Sequence, residues 1–91
     1  MNYHYPIDED WTTEEIIYAI NFFECIEKAY ESKVHKNELV GTYKIFKEIV
    51  PSKSEEKRLF KEFKQSSGYE SYPVVRKAMQ SDKDFIEMND K

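Results

Sequence analysis

Glycine is scarce in this chain, and its scarcity excludes a group of binding sites. Only two glycines, Gly41 and Gly68, occur among the 91 residues. Loops that cradle phosphate groups need several glycines at fixed spacing, as in G-x-x-x-x-G-K or G-x-G-x-x-G. Neither pattern can be written from two isolated glycines, so the common nucleotide-binding loops are absent from the sequence.

Cysteine and long apolar runs are nearly absent as well. Because Cys25 is the single cysteine, the chain cannot form an internal disulfide and suits a reducing compartment. The longest apolar run, residues 16–26, is too short to cross a bilayer and contains Asn21 and Glu24. The acidic first residues lack the basic and apolar regions of a secretion signal. We therefore expect a cytoplasmic protein with no membrane segment.

Aromatic residues are abundant, and the charges are unevenly distributed. Aromatic side chains make up 15% of a chain that has the length of one domain, which is enough to supply a core. Residues 1–32 carry eight acids and one base, whereas residues 33–64 carry nine bases and five acids. Two explanations stay open: the acidic and basic regions face each other within the fold, or one of them meets a partner of opposite charge.

The first helix is predicted from its start signal and from the spacing of its apolar residues. Thr12 and Glu15 form a capping box, and the predicted helix continues to about Tyr30 or Ser32. One apolar stripe would face the core: Ile16, Ala19, Ile20, Phe23, Ile26 and Tyr30. A second stripe lies beside it: Tyr18, Phe22, Cys25 and Ala29. A helix that is apolar on two faces is either central in its fold or shared with another chain.

Three further helices are predicted by similar signals. Helix 2 should start near residue 35 and end before Pro51, since the residue before proline avoids the helical region. Helix 3 should lie between a cap at Ser52 and a stop at Gly68. Helix 4 should begin at a cap formed by Ser71.

These elements predict an all-α fold. We expect a small single-domain bundle of three to four short helices, with helix 1 longest and central. Residues 1–11 are predicted to form an extended lead-in and residues 12–80 the helical domain. Residues 81–91 are mostly charged and are predicted to be a frayed or disordered tail.

Several motifs resemble those of a known family. Tyr3, Tyr5, Pro6, Asp8, Asp10 and Trp11 form the pattern Y-x-Y-P-x-D-x-D-W, followed later by Y-K-x-F-K-E-I-V-P-S-K-S-E-E-K at residues 43–57 and S-G-Y-x-S-Y at residues 67–72. Over residues 3–79 the chain resembles the YktA-like family of small uncharacterised proteins from low-GC Gram-positive bacteria. The resemblance implies an all-helical cytosolic protein. It implies no activity and provides no active site to carry over. Pro73, in the predicted fourth helix, is the one departure.

No group of residues has the spacing of a catalytic or metal site. Cys25 should lie in mid-helix, away from any helix N-terminus that could lower its pKa. His4, His35 and Cys25 belong to different predicted elements, although metal sites need several ligands that converge. Neighbouring carboxylates such as Glu55 and Glu56 point in different directions on a helix. We therefore expect no enzymatic activity, no cofactor and no bound metal.

Eight side chains are candidates for an interaction surface. They come from helix 1, from one flank of helix 3 and from the corner between helices 3 and 4: Tyr18, Phe22, Lys53, Lys57, Lys61, Lys64, Tyr69 and Tyr72. The tyrosines of the corner have a second interpretation, in which Tyr69 closes the end of helix 3 and Tyr72 packs against helix 4. The lysines could contact phosphates or could simply be solvated, with their stems covering the edge of the core.

The predicted function is that of a small protein-interaction or regulatory module without catalytic activity. The alternative is a nucleic-acid-associated protein that uses the lysines of helix 3. Two facts oppose this alternative: helix 3 opens with Glu55 and Glu56, and the net charge of the chain is −4, whereas nucleic-acid-binding domains are usually basic. An unknown protein partner is therefore expected rather than nucleic acid or a membrane. The sequence leaves open whether the chain forms a homodimer through helix 1.

Overall fold

The computed structural model describes residues 4–88 as four helices and a two-stranded sheet. The helices are α1 (Thr13–Glu31), α2 (Lys36–Ile49), α3 (Lys53–Ser67) and α4 (Ser71–Gln80). The strands are β1 (Val34–His35) and β2 (Phe85–Ile86), which pair antiparallel. The longest helix is α1, with 19 residues. The predicted all-α class is confirmed, and the small sheet is an addition that was not predicted.

Both hydrogen bonds of the predicted capping box are present at the start of α1. The backbone N–H of Glu15 donates to the Thr12 hydroxyl oxygen over 3.1 Å, and the backbone N–H of Thr12 donates to the Glu15 carboxylate over 2.8 Å. A helix start otherwise leaves these N–H groups without partners. Trp11, just before the cap, packs against the edge of the core. The local sequence therefore sets where α1 begins.

The predicted start and stop signals of α3, Ser52 and Gly68, lie at the two ends of the observed helix. The backbone N–H of Glu55 donates to the Ser52 hydroxyl oxygen over 3.3 Å. Gly68 has a φ of 85° in the left-handed region, which side chains with a Cβ rarely adopt. These two residues fix the length of α3 and thereby determine which of its side chains face outward.

The start of α4 differs from the prediction. Ser71 is the first residue of the helix, and Glu70 occupies the capping position without a side-chain hydrogen bond. Ser71 is only 1% exposed, and its hydroxyl has no hydrogen-bond partner among residues 4–88. The predicted Ser71 cap is therefore wrong, because the burial of its side chain directs the hydroxyl away from the free N–H groups of the first turn.

Phenylalanine rings from three helices meet in the core. Phe22 of α1 stacks on Phe46 of α2 with ring centroids 4.8 Å apart. Phe23, next to it on α1, contacts Phe63 of α3 at 4.6 Å. All four rings have no exposed surface. The centre of the domain is thus an aromatic cluster to which α1 contributes two neighbouring rings.

The second apolar stripe of α1 is internal except at its first residue. Phe22, Cys25 and Ala29 are at most 3% exposed, whereas Tyr18 is 41% exposed. The ring of Tyr43 from α2 covers Phe22 at a centroid distance of 5.6 Å. The prediction that Phe22 belongs to an interaction surface is therefore wrong, because α2 packs over it.

Residues 81–88 return to the domain and contribute to its core. Ile86 pairs with Val34 across the small sheet and is completely buried. The backbone N–H of Met88 donates to the Ala29 carbonyl over 2.8 Å. The prediction of a frayed or disordered tail is therefore wrong for residues 81–88, because Ile86 fills space beside β1. Residues 89–91 lie outside the described part of the chain.

The lead-in is attached to the helices through Tyr5. Its ring stacks on Phe63 at a centroid distance of 6.1 Å, and its hydroxyl donates to the Glu27 carboxylate over 2.8 Å. Residues 4–8 are neither helix nor strand. Tyr3, another aromatic residue of the predicted lead-in, lies outside the described residues.

Candidate interaction surface

One side of α3 carries the predicted row of lysines. Leu59 and Phe63 turn into the core and are at most 1% exposed. Helical periodicity then directs another side of α3 to solvent. Four exposed lysines lie there, and we call them the lysine flank: Lys53, Lys57, Lys61 and Lys64.

Tyr72 stands beside this flank in the first turn of α4. Its side chain is 59% exposed. A groove of about 410 Å³ opens next to it between α3 and α4. We call this the Tyr72 groove, and it is lined by Lys53, Glu56, Lys57, Phe60 and Tyr72. Lys61 and Lys64 border a smaller depression that also contains Phe60 and Tyr72. The structure therefore brings Tyr72 and the whole lysine flank together.

The apolar surface continues from Tyr72 along α4. A shallow depression runs from Tyr72 past Tyr43, Val75 and Met79, with Arg76 beside it. Met79 is 51% exposed, whereas Val75 and Ala78 of the same helix are buried. We call Phe60, Tyr72 and Met79 the apolar strip. Phe60 is half-buried and also packs against the core. Sequence reasoning did not identify Met79 as a surface residue. The signal that could have found it is its separation of seven residues from Tyr72, which places both side chains on the same side of α4.

A buried carboxylate forms part of the floor of the Tyr72 groove. Glu56 accepts a hydrogen bond of 2.8 Å from the Tyr43 hydroxyl and one of 3.3 Å from the Lys47 ammonium. Burial, followed by the hydrogen bond to Glu56, raises the pKa of Tyr43 above its usual range. Both hydrogen-bond partners of this carboxylate come from α2, so Lys47 balances its charge. Lys53 and Lys57, which line the same groove, are therefore not needed to neutralise Glu56.

Within the described residues, three of the four lysines of the flank have no acidic partner. Lys64 pairs with Glu70 over 3.5 Å, but both side chains are 57% exposed, and such a pair contributes at most about 1 kcal/mol. No ion pair involves Lys53, Lys57 or Lys61 within residues 4–88. The basic side of α3 therefore keeps its charge at the surface.

The acidic residues of positions 4–32 form no ion pair with the lysine flank. Within the described residues, no acid of residues 4–32 forms an ion pair with a base of residues 33–64. Among the described residues, one ion pair joins the two regions, between Lys28 and Glu38 over 3.8 Å. Its base comes from the acidic region and its acid from the basic region, which is the reverse of the pairing that the charge distribution would suggest. Direct ion pairs within residues 4–88 therefore do not join the acidic region to the basic one in the expected sense.

Tyr69 and Tyr18 lie apart from the Tyr72 groove. Tyr69 stacks on Tyr30 with centroids 4.8 Å apart and rings 6° from parallel. Its hydroxyl donates to the Glu31 carboxylate over 2.8 Å, and this hydrogen bond is the main cause that raises the pKa of Tyr69. Tyr69 thus packs the end of α3 against α1. Tyr18 is exposed on α1 and does not line the groove.

The residues with catalytic or metal-binding chemistry are used structurally. Cys25 is buried in α1, and its burial raises the pKa of the thiol. The His35 ring accepts a hydrogen bond of 3.2 Å from the backbone N–H of Asn37 and caps α2. Among residues 4–88 no three side chains of the metal-binding types converge. Within the same residues, no helix has the length and apolar character needed to cross a membrane.

The fold and the site together define a class: a small four-helix domain with a groove between α3 and α4 that is lined by two aromatic rings, two lysines and a buried carboxylate. Residues 2–87 match the model of a family described as "Uncharacterised protein family (UPF0223)", and the chain belongs to this family.

Relatives in three genera support this assignment. A UPF0223 protein of Oceanobacillus iheyensis is 56% identical over 88 residues, which cover 97% of this chain and all of the relative. A UPF0223 protein of Streptococcus uberis is 48% identical over 96% of this chain and 95% of its own length. One from Staphylococcus aureus is 57% identical over 84% of each chain. The predicted resemblance to uncharacterised proteins of low-GC Gram-positive bacteria is confirmed, whereas the name YktA-like is not.

Proposed function

We propose that the protein is a small cytoplasmic protein-interaction module without catalytic activity, and that the Tyr72 groove is its binding surface. The observation that carries the proposal is the exposed side chain of Tyr72 beside Lys53 and Lys57, which line the same groove and form no ion pair within residues 4–88. Tyrosine is enriched at interfaces because its ring supplies apolar contact area and its hydroxyl supplies a hydrogen bond.

The layout of the surface supports this proposal. Protein interfaces commonly have an apolar centre and a polar rim. The apolar strip provides the centre, since Tyr72 and Met79 are each more than half exposed. The lysine flank lies along one side of it and provides the rim. Covering the strip with a partner would remove apolar surface from water, which is the main driving force of association.

The alternative is that the same surface binds single-stranded nucleic acid. Proteins that do so combine a positively charged groove with aromatic side chains on which bases stack, and Tyr72 with the lysine flank has both features. Two observations favour a protein instead. Nucleic-acid-binding domains are usually basic, whereas the net charge of this chain is −4. The surface also includes Met79, which is 51% exposed and offers apolar contact area but no ring on which a base could stack. We expect no binding to DNA or RNA tighter than about 10 μM at physiological salt.

Affinity capture from bacterial cytosol tests the proposal. The baits are the wild type, Tyr72→Ser, and a groove variant that combines Lys57→Glu with Lys61→Glu. The control combines Lys33→Glu with Lys83→Glu, because both lysines lie near the β2 end and outside the groove. A protein retained by the wild type and the control, but lost from both groove baits, supports the proposal. Nucleic acid that is retained and then released by added salt supports the alternative.

A further inference from the structure

The walls of the Tyr72 groove are helices, and this limits the shape of its partner. Phe60 comes from α3 and Tyr72 from α4. Within helices the backbone N–H and C=O groups bond to one another. The groove therefore offers no strand edge on which an extended peptide could form main-chain hydrogen bonds. A helical partner needs no such edge, since it satisfies its own backbone and binds through side chains.

The apolar strip has the length of about two turns of a bound helix. Tyr72 and Met79 both belong to α4, and their separation of seven positions corresponds to about 10 Å along the helix axis. An amphipathic helix repeats its apolar anchors at i, i+3 or i+4, and i+7, and so covers about the same 10 Å. The strip can therefore receive two or three anchors from one face of a partner helix.

The basic side chains on both sides of the apolar strip favour a partner that carries carboxylates. Lys53, Lys57 and Lys61 follow one another at intervals of four residues, about 6 Å along α3. Carboxylates placed every four residues on a partner helix repeat at about the same 6 Å. Arg76 lines the depression on the α4 side, and it has no ion-pair partner within the part of the chain that the structure describes. Acids on both flanks of a partner helix would thus each meet a base.

We infer that the Tyr72 groove binds an acidic amphipathic helix of another protein. Apolar side chains of that helix lie on the apolar strip, and its carboxylates pair with Lys53, Lys57 and Lys61. The inference rests on the proposed function, because it names the partner chemistry of the same surface. A second copy of α1 matches less well. Its exposed side carries Lys28 four residues after Glu24, which places a base where the lysine row requires an acid.

Three synthetic peptides test the inference on the full chain. Each is a fluorescein-labelled amphipathic helix of about 15 residues with leucines on one face. The flanking positions are glutamate in the first peptide, glutamine in the second and lysine in the third. Fluorescence anisotropy measures their affinities. We expect the glutamate peptide to bind about tenfold more tightly than the glutamine peptide, and the lysine peptide to bind most weakly.

The variants show whether the peptide binds in the groove. Tyr72→Ser, and Lys57→Glu combined with Lys61→Glu, should each weaken binding of the glutamate peptide about tenfold. The control with Lys33→Glu and Lys83→Glu should stay within about threefold of the wild type, because exposed charges are screened by salt. If Tyr72→Ser fails to fold, as judged by its thermal melt, Met79→Ser takes its place on the same strip.

Four outcomes would overturn the inference. They are equal binding of the glutamate and glutamine peptides, unchanged binding by the groove variants, self-association that hides Tyr72, and tighter binding of an oligonucleotide than of the glutamate peptide. Failure of the peptides alone leaves the proposed function standing if the capture experiment still yields a protein that depends on Tyr72. Its partner would then have another chemistry. Nucleic acid alone in both experiments would overturn both proposals.

Discussion

The Tyr43 hydroxyl donates a 2.8 Å hydrogen bond to the Glu56 carboxylate and so joins α2 to the first turn of α3. Lys47 donates to the other carboxylate oxygen over 3.3 Å. Since Glu56 is only 9% exposed, these partners replace most of the water that a carboxylate requires. The three side chains hold the floor of the Tyr72 groove from beneath, so we expect the groove to keep its shape without a bound partner.

Removing the Tyr43 hydroxyl should destabilise the domain. Tyr43→Phe leaves the ring in place but takes one hydrogen bond from a buried carboxylate, at a cost of about 2 kcal/mol in the free energy of unfolding. Denaturant unfolding measures this loss. Tyr72→Phe is the matched control, because it makes the same chemical change on a side chain that is 59% exposed. Equal stabilities of the two variants would contradict a structural role for the Tyr43 bond.

The same hydroxyl should make stability depend on alkaline pH. Burial, then the bond to Glu56, raises the pKa of Tyr43 above its usual value of 10.0. Between about pH 10 and the raised value, the unfolded chain loses this proton while the folded protein keeps it. The free energy of unfolding therefore falls as pH rises through this window, and the contribution is complete below it.

Comparison with Tyr43→Phe separates the contribution of Tyr43 to the pH dependence of stability from the contributions of the other tyrosines. Tyr5, Tyr30 and Tyr69 also have raised pKa values, but they are the same in both proteins. The stability difference between the wild type and Tyr43→Phe should be constant below about pH 9 and should narrow above about pH 10. Denaturant unfolding at a series of pH values checks this, and a difference that stays constant throughout would exclude the raised pKa.

Helix boundaries were predictable because local chemistry decides them. Thr12 and Ser52 accept hydrogen bonds from residues three positions later, and Gly68 provides a conformation that few other residues adopt. Ser71 was misjudged although the same kind of signal was present. At that position burial against the rest of the fold outweighed capping, and burial cannot be derived from neighbouring residues in the sequence.

The candidate site could be predicted only in part, for a related reason. The four lysines of the flank are spaced by three or four residues, and helix geometry places residues with this spacing on one side. Their shared side of α3 could therefore be predicted from the sequence. The exposure of Met79 and the burial of Phe22 depend on which helix lies opposite. The pairing of β1 with β2 joins segments about fifty residues apart (Val34 with Ile86), and a two-residue strand leaves too short a pattern to be recognised.

The return of residues 81–88 to the domain can be tested at Ile86. This side chain is completely buried, whereas its neighbour Phe85 is 47% exposed. Ile86→Ala should therefore reduce the free energy of unfolding by about 3 kcal/mol through the cavity that it leaves. Phe85→Ala, which removes more atoms from a less buried position, should cost about 1 kcal/mol or less. If Ile86→Ala unfolds at the same denaturant concentration as the wild type, residues 81–88 do not stabilise the domain.

The oligomeric state is the remaining question about α1. A dimer through α1 would be required if the second stripe of α1 had no cover within the domain. Three of its four residues are covered within the domain, and Phe22 contacts Tyr43 and Phe46. We therefore predict a monomer in sedimentation experiments at tens of micromolar, although Tyr18 stays exposed on the same helix.

Two matched substitutions on α1 distinguish an internal stripe from an interface. Phe22→Glu places a carboxylate among aromatic rings and should unfold the domain, because an unpaired buried charge costs several kcal/mol. Tyr18→Glu makes the same kind of change at a position that is 41% exposed, and it should leave the thermal melt within a few degrees of the wild type. A wild-type dimer that Phe22→Glu converts into a folded monomer would show that this part of α1 is an interface. A monomeric wild type with an unfolded Phe22→Glu variant would show that the second stripe of α1 serves the core of a self-contained domain.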